Sequence, residues 1–365
     1  MVERPLRLGI VGANPTMGWA PRTHLPAIVG LPEIELTAVC TTKEASAKES
    51  AEKFDARKAY SNYKDLVADP DVEIVDVCVR VPYHYDIVMA AIEAGKDVYC
   101  EWPLAATVKQ AEDIVNLAEK KGVRTMVGLQ SRGSPSLLHL HNLIASGWIG
   151  KIVSVNMTHL GGGLLSPRGA DATWRGDKTN GANTMTIAGG HSIDAVQWVV
   201  EPFTEVAALV DTLAPEWPMA DGGTFKATAP DHVAFTARLA NGGIANVQVA
   251  SLPHHASGYR MEVYGTEGTL VATAGQAQTL PVKIRGGQAS DKELHDIEVP
   301  AALRYVPSSV PDGTPVNFGQ MLSRFAESIR DKKTVTPTFA DALANHRLLD
   351  AIERSSQTHA AVKVG

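Results

Sequence analysis

Short apolar runs alternate with helical patterns over residues 1–130, and this alternation constrains the fold more than any other feature of the chain. The runs at 6–11, 34–40 and 74–79 have the continuous apolar character of strands that are buried on both faces. Two further runs, at 97–100 and 124–127, continue the series. Strands and helices in this order predict an α/β domain whose parallel sheet is covered by helices on both sides.

The alternation stops near residue 150, and hairpin patterns take its place. Segments 233–239 and 244–251 flank the turn Ala240-Asn241-Gly242-Gly243, and segments 259–265 and 269–273 flank a second turn. These patterns predict a large, mainly antiparallel sheet that is open on one face to solvent or to a partner.

The length of 365 residues exceeds what one core ordinarily supports, since a domain holds roughly 100–200 residues. We predict an α/β domain over residues 1–130 and an α+β domain over residues 131–365. A helix at about 340–356 is expected to pack back on the first domain. Stretches rich in Pro and Gly are predicted to be surface loops, and they lie at 211–231, 274–290 and 306–315.

Composition and charge exclude several classes of protein. Lys and Arg total 34 against 40 for Asp and Glu, so the net charge is −6 and no basic footprint for nucleic acid or an anionic membrane is present. No apolar run approaches the roughly 18 residues of a membrane span. The three cysteines, Cys40, Cys78 and Cys100, lie in strand-like runs and predict buried free thiols in a reducing, cytoplasmic setting. The pair His254-His255 lacks a third ligand at workable spacing, so no metal site is predicted.

A turn that contains glycine follows the first strand and precedes the first helical pattern. Its residues include Gly12, Asn14, Pro15 and Gly18. Such a turn lets backbone N–H groups reach a pyrophosphate at a helix N-terminus. The spacing departs from Gly-x-Gly-x-x-Gly, because Asn14 replaces a glycine and Gly18 comes one residue late, so an ordinary strand–helix turn is the alternative. Together with the alternation of strands and helices, the turn predicts a dinucleotide-binding Rossmann domain.

The end of the second strand carries hydroxyls and a cation where an NAD site normally has Asp or Glu. The run is Thr41-Thr42-Lys43, and Glu44 is the first carboxylate after it. These groups suit the 2′-phosphate of NADP better than the 2′-hydroxyl of NAD, so we predict NADP as the preferred cofactor with NAD as the alternative. Otherwise Thr41 caps the next helix and Lys43 is solvated.

Four segments in this order resemble the glucose–fructose oxidoreductase/inositol dehydrogenase/MocA (Gfo/Idh/MocA) family. The likeness runs from about residue 5 to about residue 355, and the segments are Arg80-Val81-Pro82-Tyr83-His84, Ala94-Gly95-Lys96-Asp97-Val98-Tyr99-Cys100-Glu101-Trp102-Pro103-Leu104-Ala105, Gly189-Gly190-His191-Ser192-Ile193-Asp194 and Val263-Tyr264-Gly265-Thr266-Glu267-Gly268-Thr269-Leu270.

The resemblance implies a Rossmann domain, a C-terminal domain with a large open sheet and a nicotinamide cofactor. It implies hydride transfer to or from a sugar-like carbon, and homodimers or homotetramers built on that sheet. The residues that it places at the cofactor are Val81, Pro82, His84, Glu101, Trp102 and Pro103.

Two departures from the family pattern concern proton transfer. Trp102 stands where the family has lysine in Glu-Lys-Pro, and Ile187 stands four residues before His191, where aspartate is usual. General acid–base groups of this kind contribute about 10²–10⁴ in rate. Glu101-Trp102-Pro103 is similar to a branch of the family that contains a fungal galactose-pathway repressor. We therefore expect either an NAD(P)-dependent oxidoreductase acting on a carbohydrate-like or polyol-like molecule, or a non-catalytic NADP sensor that binds a partner protein through the open sheet.

The candidate catalytic residues are His191, Tyr83 and His84. Asp194 lies three residues after His191 on a predicted helix, where its carboxylate can orient the imidazole. Tyr83 and His84 follow the third strand at a helix start, and helix capping is their alternative role. The candidate substrate-binding residues include Asp194 and Trp102. Trp102 is predicted to form an aromatic wall, with a plug of the lysine position as the alternative. The remaining candidates form either a charged clamp for the substrate or a solvated loop, and they are Trp174, Arg175 and Lys178.

Overall fold

The structure, a computed structural model, describes residues 4–252 and 254–365 and divides the chain into two compact units. The first unit comprises residues up to 133 together with 304–343, and the second comprises 134–303 together with 344–365. The sequence analysis assigned every residue after 130 to the second domain, whereas segment 304–343 belongs to the first unit.

The first unit is built on a parallel six-stranded sheet, which confirms the predicted Rossmann fold. The sheet order is β3-β2-β1-β4-β5-β6. Strand β3 was missed because it has only three residues, none of them buried, and so lacks the apolar run of the others. The strands are β1 (Leu6–Val11), β2 (Ile34–Cys40), β3 (Lys58–Tyr60), β4 (Ile74–Val77), β5 (Asp97–Glu101) and β6 (Thr125–Gly128).

Five helices connect these strands, and the last of them is capped at both ends. The side chain of Thr107 accepts a hydrogen bond from the Gln110 N–H at the start of α5, and the helix ends at Gly122, whose φ of 67° is left-handed. The helices are α1 (His24–Gly30), α2 (Glu44–Phe54), α3 (Tyr63–Ala68), α4 (His84–Glu93) and α5 (Val108–Lys121).

The second unit is built on a nine-stranded sheet of order β16-β15-β14-β13-β7-β12-β11-β8-β17. Only β7 and β12 pair in parallel within it, so the predicted, mainly antiparallel sheet is confirmed. A separate hairpin joins β9 and β10. The strands are β7 (Ile152–Gly161), β8 (Phe203–Asp211), β9 (Glu216–Pro218), β10 (Thr224–Lys226), β11 (His232–Leu239), β12 (Ile244–Ser251), β13 (Gly258–Gly265), β14 (Gly268–Ala274), β15 (Lys283–Gln288), β16 (His295–Ile297) and β17 (Val362–Lys363).

Two stretches that were predicted to be loops contain regular structure. The stretch 211–231 holds β9 and β10, and the stretch 274–290 holds β15. Trp217 of β9 lies against Phe225 of β10, with ring centroids 5.8 Å apart, and these rings stabilise a hairpin that the Gly and Pro content concealed. The loop prediction was wrong for these segments.

Four helices complete the fold: α6 (Pro135–Ala145), α7 (Gly190–Val199), α8 (Thr314–Asp331) and α9 (Phe339–Thr358). Helix α8 supplies Phe318 and Phe325 to the core of the first unit, beside Leu25 and Ile28 of α1. Helix α9 begins in the first unit and continues in the second. None of the helices in the described residues has the length and apolar character needed to cross a bilayer.

Candidate functional site

The turn after β1 is held by the side chain of Asn14. Its Oδ1 accepts hydrogen bonds from the Thr16 and Met17 N–H groups, at 3.0 and 2.8 Å. The Gly12 N–H donates to the carbonyl of Cys40 at 2.9 Å, which fixes the turn beside the end of β2. Asn14 therefore builds the turn through its side chain at the position where the dinucleotide pattern has glycine.

Gly12 and Gly18 both have positive φ, at 101° and 91°, but they serve different purposes. A Cβ atom on Gly12 would lie 2.0 Å from the carbonyl oxygen of Cys78, so only glycine fits between the ends of β1 and β4. A Cβ atom on Gly18 would meet nothing within 4 Å. Gly18 therefore leaves an open face on the turn, as the close approach of a phosphate requires.

Two cations border this turn, and the sequence analysis missed both. Lys53 of α2 donates from Nζ to the carbonyl of Pro15 at 2.8 Å. Arg22 donates from Nε to the carbonyl of Gly18 at 3.0 Å, and its guanidinium lies 5.9 Å from the ring centroid of Trp19. The indole Nε1 of Trp19 is buried without a hydrogen-bond partner among the described residues. An open backbone face, an unused donor and two cations fit the pyrophosphate of a dinucleotide.

The end of β2 offers hydroxyls and a cation, as predicted. Thr42 and Lys43 are exposed, whereas the Thr41 hydroxyl lies 2.6 Å from Ser46 Oγ and donates to the carbonyl of Lys43 at 2.8 Å. The first carboxylate after the strand, Glu44, forms an ion pair with Lys48 one turn along α2, at 2.6 Å. Glu44 is therefore already paired. Thr41 bonds the residues around the start of α2, but Lys43 occupies the N-cap position and no side chain caps the helix there, so the capping role expected as the alternative is not seen.

The two cofactor segments of the family pattern meet at His84. The His84 ring is buried, with Nδ1 2.8 Å from the carbonyl of Pro103 and Nε2 3.0 Å from the carbonyl of Val79. Burial lowers the pKa of His84, although the two carbonyls oppose that shift. The ring lies between these two carbonyls, so His84 links the segment after β5 to the segment after β4. A neutral ring donates a hydrogen bond to one of them at a time. This geometry favours a brace over the predicted proton transfer.

The neighbours of His84 in these segments differ in exposure. Tyr83, the other catalytic candidate here, is 62% exposed at the end of the short helix Val81–Tyr83. Pro82 is exposed and Val81 is buried. Trp102 is only 4% exposed, which favours the plug over the aromatic wall that we predicted.

Glu101 ends β5 and contacts two polar side chains, His24 and Gln130. Its Oε1 lies 3.0 Å from His24 Nε2 and accepts a hydrogen bond from Gln130 Nε2 at 2.8 Å. His24 Nδ1 lies 2.7 Å from Oδ2 of Asp76 on β4. A Cβ on Gly128 of β6 would lie 2.5 Å from Glu101 Oε1, so this carboxylate is closely enclosed on that side.

In the second unit, His191 lies in the first turn of α7. A π-helical turn over 184–189 precedes it, and such turns occur frequently at functional sites. His191 is 5% exposed, and its Nδ1 has no hydrogen-bond partner among the described residues, so Asp194 does not hold that nitrogen. Burial, with a smaller contribution from His159, lowers the pKa of His191 to about 3. The ring is therefore neutral near pH 7.

Of the other predicted substrate residues of this unit, Asp194 is buried on α7 at 2% exposure, and the rest are more exposed than His191. Trp174 is partly buried and Arg175 is exposed, both in the short helix Ala170–Gly176. Lys178 is exposed and forms an ion pair with Glu353 of α9. That pairing competes with the predicted substrate clamp. Ile187, in the π-helical turn, is half-buried.

Metal binding is not indicated by the described part of the chain, where no three His, Cys, Asp or Glu side chains cluster in a way that could hold an ion. His254 and His255 lie with their ring centroids 6.2 Å apart. The three cysteines are buried and free.

A doubly wound parallel sheet with a glycine-containing turn after β1, followed by a second unit with a large, mainly antiparallel sheet, is the architecture of a two-part dinucleotide-binding protein. Residues 6–129 match the model described as the oxidoreductase family with an NAD-binding Rossmann fold, Gfo/Idh/MocA, and residues 137–271 match the Gfo/Idh/MocA C-terminal domain. These two models together cover more than half of the chain, which belongs to the Gfo/Idh/MocA family.

Individual relatives include dehydrogenases and a regulator. The chain is 36% identical over 226 residues to the dehydrogenase AclE of Aspergillus oryzae, an alignment of 60% of this chain and 62% of the relative. It is 30% identical over 257 residues to the galactose/lactose metabolism regulatory protein GAL80 of Saccharomyces cerevisiae, over 66% of this chain and 59% of the relative. Each alignment thus spans about three fifths of the relative's own length.

The family likeness extends to solved structures over nearly the whole chain. A levoglucosan dehydrogenase solved in complex with NADH and levoglucosan superposes with a TM-score of 0.85 at 25% identity, covering 99% of each chain.

Proposed function

We propose that the protein is an NAD(P)-dependent oxidoreductase that transfers a hydride to or from a CH–OH carbon of a carbohydrate-like or polyol-like small molecule. The turn after β1 carries this proposal, because Gly18, Trp19, Arg22 and Lys53 together offer an open, cationic and donor-rich site to a pyrophosphate. When bound, the nicotinamide supplies the hydride chemistry. The levoglucosan complex of a related fold supports the substrate class.

NADP is proposed as the preferred cofactor. Thr42 and Lys43 are exposed at the end of β2, and the first carboxylate after them in the sequence, Glu44, is paired with Lys48. An adenosine 2′-phosphate would therefore meet a cation there, while a 2′-hydroxyl would lack its usual carboxylate acceptor.

His191 is proposed as the group that handles the substrate proton. Its neutral ring provides one N–H donor and one lone pair, and its Nδ1 is buried with no partner in the part of the chain that the structure describes. A buried polar atom without a partner requires explanation, and a bound hydroxyl or carbonyl would satisfy it. Lys and Asp of the family pattern are replaced by Trp102 and Ile187, so His191 carries this task without them.

The substitution His191→Ala tests this role. Cofactor affinity should stay nearly unchanged, while turnover with a substrate found by screening sugars, polyols and their keto forms should fall about 10²-fold or more. His141→Ala is the matched control, since His141 is a histidine of the same unit whose Nδ1 lies 2.9 Å from the carbonyl of Trp198. Its turnover should equal that of the parent. Equal turnover of the His191 variant and the parent would refute the assignment.

A second candidate function is a cofactor-sensing regulator that acts by binding a partner protein. The observation in its favour is Trp102, which is 4% exposed and brings no charge to the lysine position. The double variant Trp102→Lys, Ile187→Asp distinguishes the two functions. Gain of sugar oxidation by this variant, with none in the parent, would favour the regulator, whereas turnover by the parent would exclude a purely regulatory role.

The outer face of the large sheet is proposed to join copies of this chain into a homodimer or homotetramer. That face presents Asn156 of β7 and Asn246 of β12 together with the exposed Leu209 and Ile244, and its charged side chains include the ion pair of Arg260 with Glu262. The buried free cysteines support action in the reducing cytoplasm.

A further inference from the structure

Three ionisable side chains form a continuous hydrogen-bonded chain inside the first unit. Asp76 Oδ2 lies 2.7 Å from His24 Nδ1, and His24 Nε2 lies 3.0 Å from Glu101 Oε1. The side chains of Asp76 and His24 are fully buried, whereas that of Glu101 is 13% exposed. The chain therefore runs from the core to the surface and reaches it through the Glu101 carboxylate.

The central histidine of this chain carries a proton. Burial alone would lower the pKa of His24, but Asp76, Cys78 and Glu101 together raise it well above its ordinary value. The ring is stacked on Phe318, with centroids 3.8 Å apart, which further suits an imidazolium. Burial raises the pKa of Glu101, but each ring nitrogen of His24 faces a carboxyl oxygen, so each of the two hydrogen bonds holds one proton. The three side chains together therefore carry one negative charge, which is unusual in a protein interior.

This charge lies near the carboxyl ends of β4 and β5, which carry Asp76 and Glu101. In the order β3-β2-β1-β4-β5-β6, the topological switch point falls between β1 and β4, where a dinucleotide binds in such sheets. The phosphate turn follows β1 and the adenosine side lies towards β2, so the nicotinamide belongs to the half formed by β4, β5 and β6. Glu101 is the last residue of β5.

We propose that the Asp76–His24–Glu101 chain sets the preference between oxidised and reduced cofactor, by keeping a net negative charge at the nicotinamide half of the site. The oxidised nicotinamide ring is a cation and the reduced ring is neutral, so this charge stabilises the oxidised form selectively. His24 acts as a positioning residue, since it holds Glu101 through a hydrogen bond. The inference rests on the proposed function.

The test compares dissociation constants for oxidised and reduced cofactor, NADP⁺ and NADPH, measured by calorimetry at pH 8 without substrate. Glu101→Gln keeps the size and an acceptor oxygen but removes the charge, and it should lower the preference for the oxidised form on the order of ten-fold. Gln130→Met is the matched control, because it removes the hydrogen bond to Glu101 Oε1 at 2.8 Å and changes no charge. Its preference should equal that of the parent.

Asp76→Asn removes the second carboxylate from the core side and should shift the preference in the same direction as Glu101→Gln. If Glu101→Gln fails to fold, this variant decides the outcome. Equal weakening of both cofactor forms in the charge-removing variants would show a purely structural chain and overturn the inference. Nitrogen chemical shifts of His24 give a readout free of cofactor, and a neutral ring at pH 8 would also overturn it. Failure of the parent to bind either form would refute the proposed function and this inference together, whereas binding with an unchanged preference would refute only the inference.

Discussion

Replacing Gly12 and Gly18 by alanine, one at a time, separates the structural and ligand-binding parts of the turn after β1. Both residues have positive φ, so each substitution strains the backbone by about 1–2 kcal/mol. For Gly18→Ala that is the whole cost to stability, because the added Cβ meets nothing within 4 Å. For Gly12→Ala the Cβ lies 2.0 Å from the Cys78 carbonyl oxygen, so β1 and β4 must separate.

Moving β1 away from β4 also breaks or lengthens the hydrogen bond from the Cys78 N–H to the Val11 carbonyl, which is 2.9 Å long. Loss of this bond and of the packing around it adds a few kcal/mol, so Gly12→Ala should cost about 4 kcal/mol or more. At about 2–4 °C per kcal/mol, the Tm of the first unit should fall by about 10 °C for Gly12→Ala and by about 5 °C for Gly18→Ala.

The substitution with the smaller effect on stability, Gly18→Ala, should have a direct effect on cofactor affinity. The methyl group of Gly18→Ala occupies the open face of the turn, so affinity for NAD and NADP should fall on the order of ten-fold while the protein stays folded. Scanning calorimetry gives the unfolding temperatures, and isothermal titration gives the affinities. Equal unfolding temperatures for the two variants would refute the steric argument for Gly12, and unchanged affinity of Gly18→Ala would show that the phosphates bind elsewhere.

Three further predictions concern the cofactor, pH and assembly. Lys43→Ala should weaken the binding of NADP more than that of NAD in titration calorimetry. The control is Lys48→Ala, which removes an exposed lysine paired with Glu44 and should weaken the binding of neither cofactor. Equal loss of affinity for both cofactors in Lys43→Ala would place the 2′-phosphate elsewhere. The pKa of His191 is about 3 in the folded protein and about 6.5 in the unfolded chain. Between these two pH values only the unfolded chain binds a proton at His191, so the free energy of unfolding decreases as the pH falls through this range. Urea unfolding should show that the parent loses about 2 kcal/mol more than His191→Leu between pH 7 and pH 5, and parallel pH profiles would contradict this. Leu209→Asp on the outer face of the large sheet should convert the oligomer to monomers in light scattering, and an unchanged mass would move the interface away from this face.

Local sequence patterns predicted the fold class well, because buried strands and capped helices are written in neighbouring residues. The turn after β1 was located by its glycines, and Asn14 replaces a glycine there through its own side-chain hydrogen bonds. Strand β3 was missed because three unburied residues carry no apolar run.

Contacts between distant residues explain what the sequence did not predict in the candidate site. Lys53 reaches Pro15 across 38 positions, and His24 reaches Glu101 across 77, so no spacing pattern links them. His84 was a candidate base because of its place after a strand, but its two carbonyl partners depend on how the segments after β4 and β5 meet. The exposure of Trp102 likewise depends on tertiary packing, which residue type alone does not determine.

The position of β7 in the large sheet has a consequence for how the chain folds. Strand β7 lies between β12 and β13, whose first residues follow it by about ninety positions or more, and its parallel partner cannot be reached by a tight turn. During synthesis both edges of β7 are therefore available for pairing until the ribosome has delivered β12 and β13. Such long-range pairing slows folding, and free strand edges invite association between nascent chains. We expect chaperone dependence during synthesis to concentrate in this interval, between the emergence of β7 and that of β13.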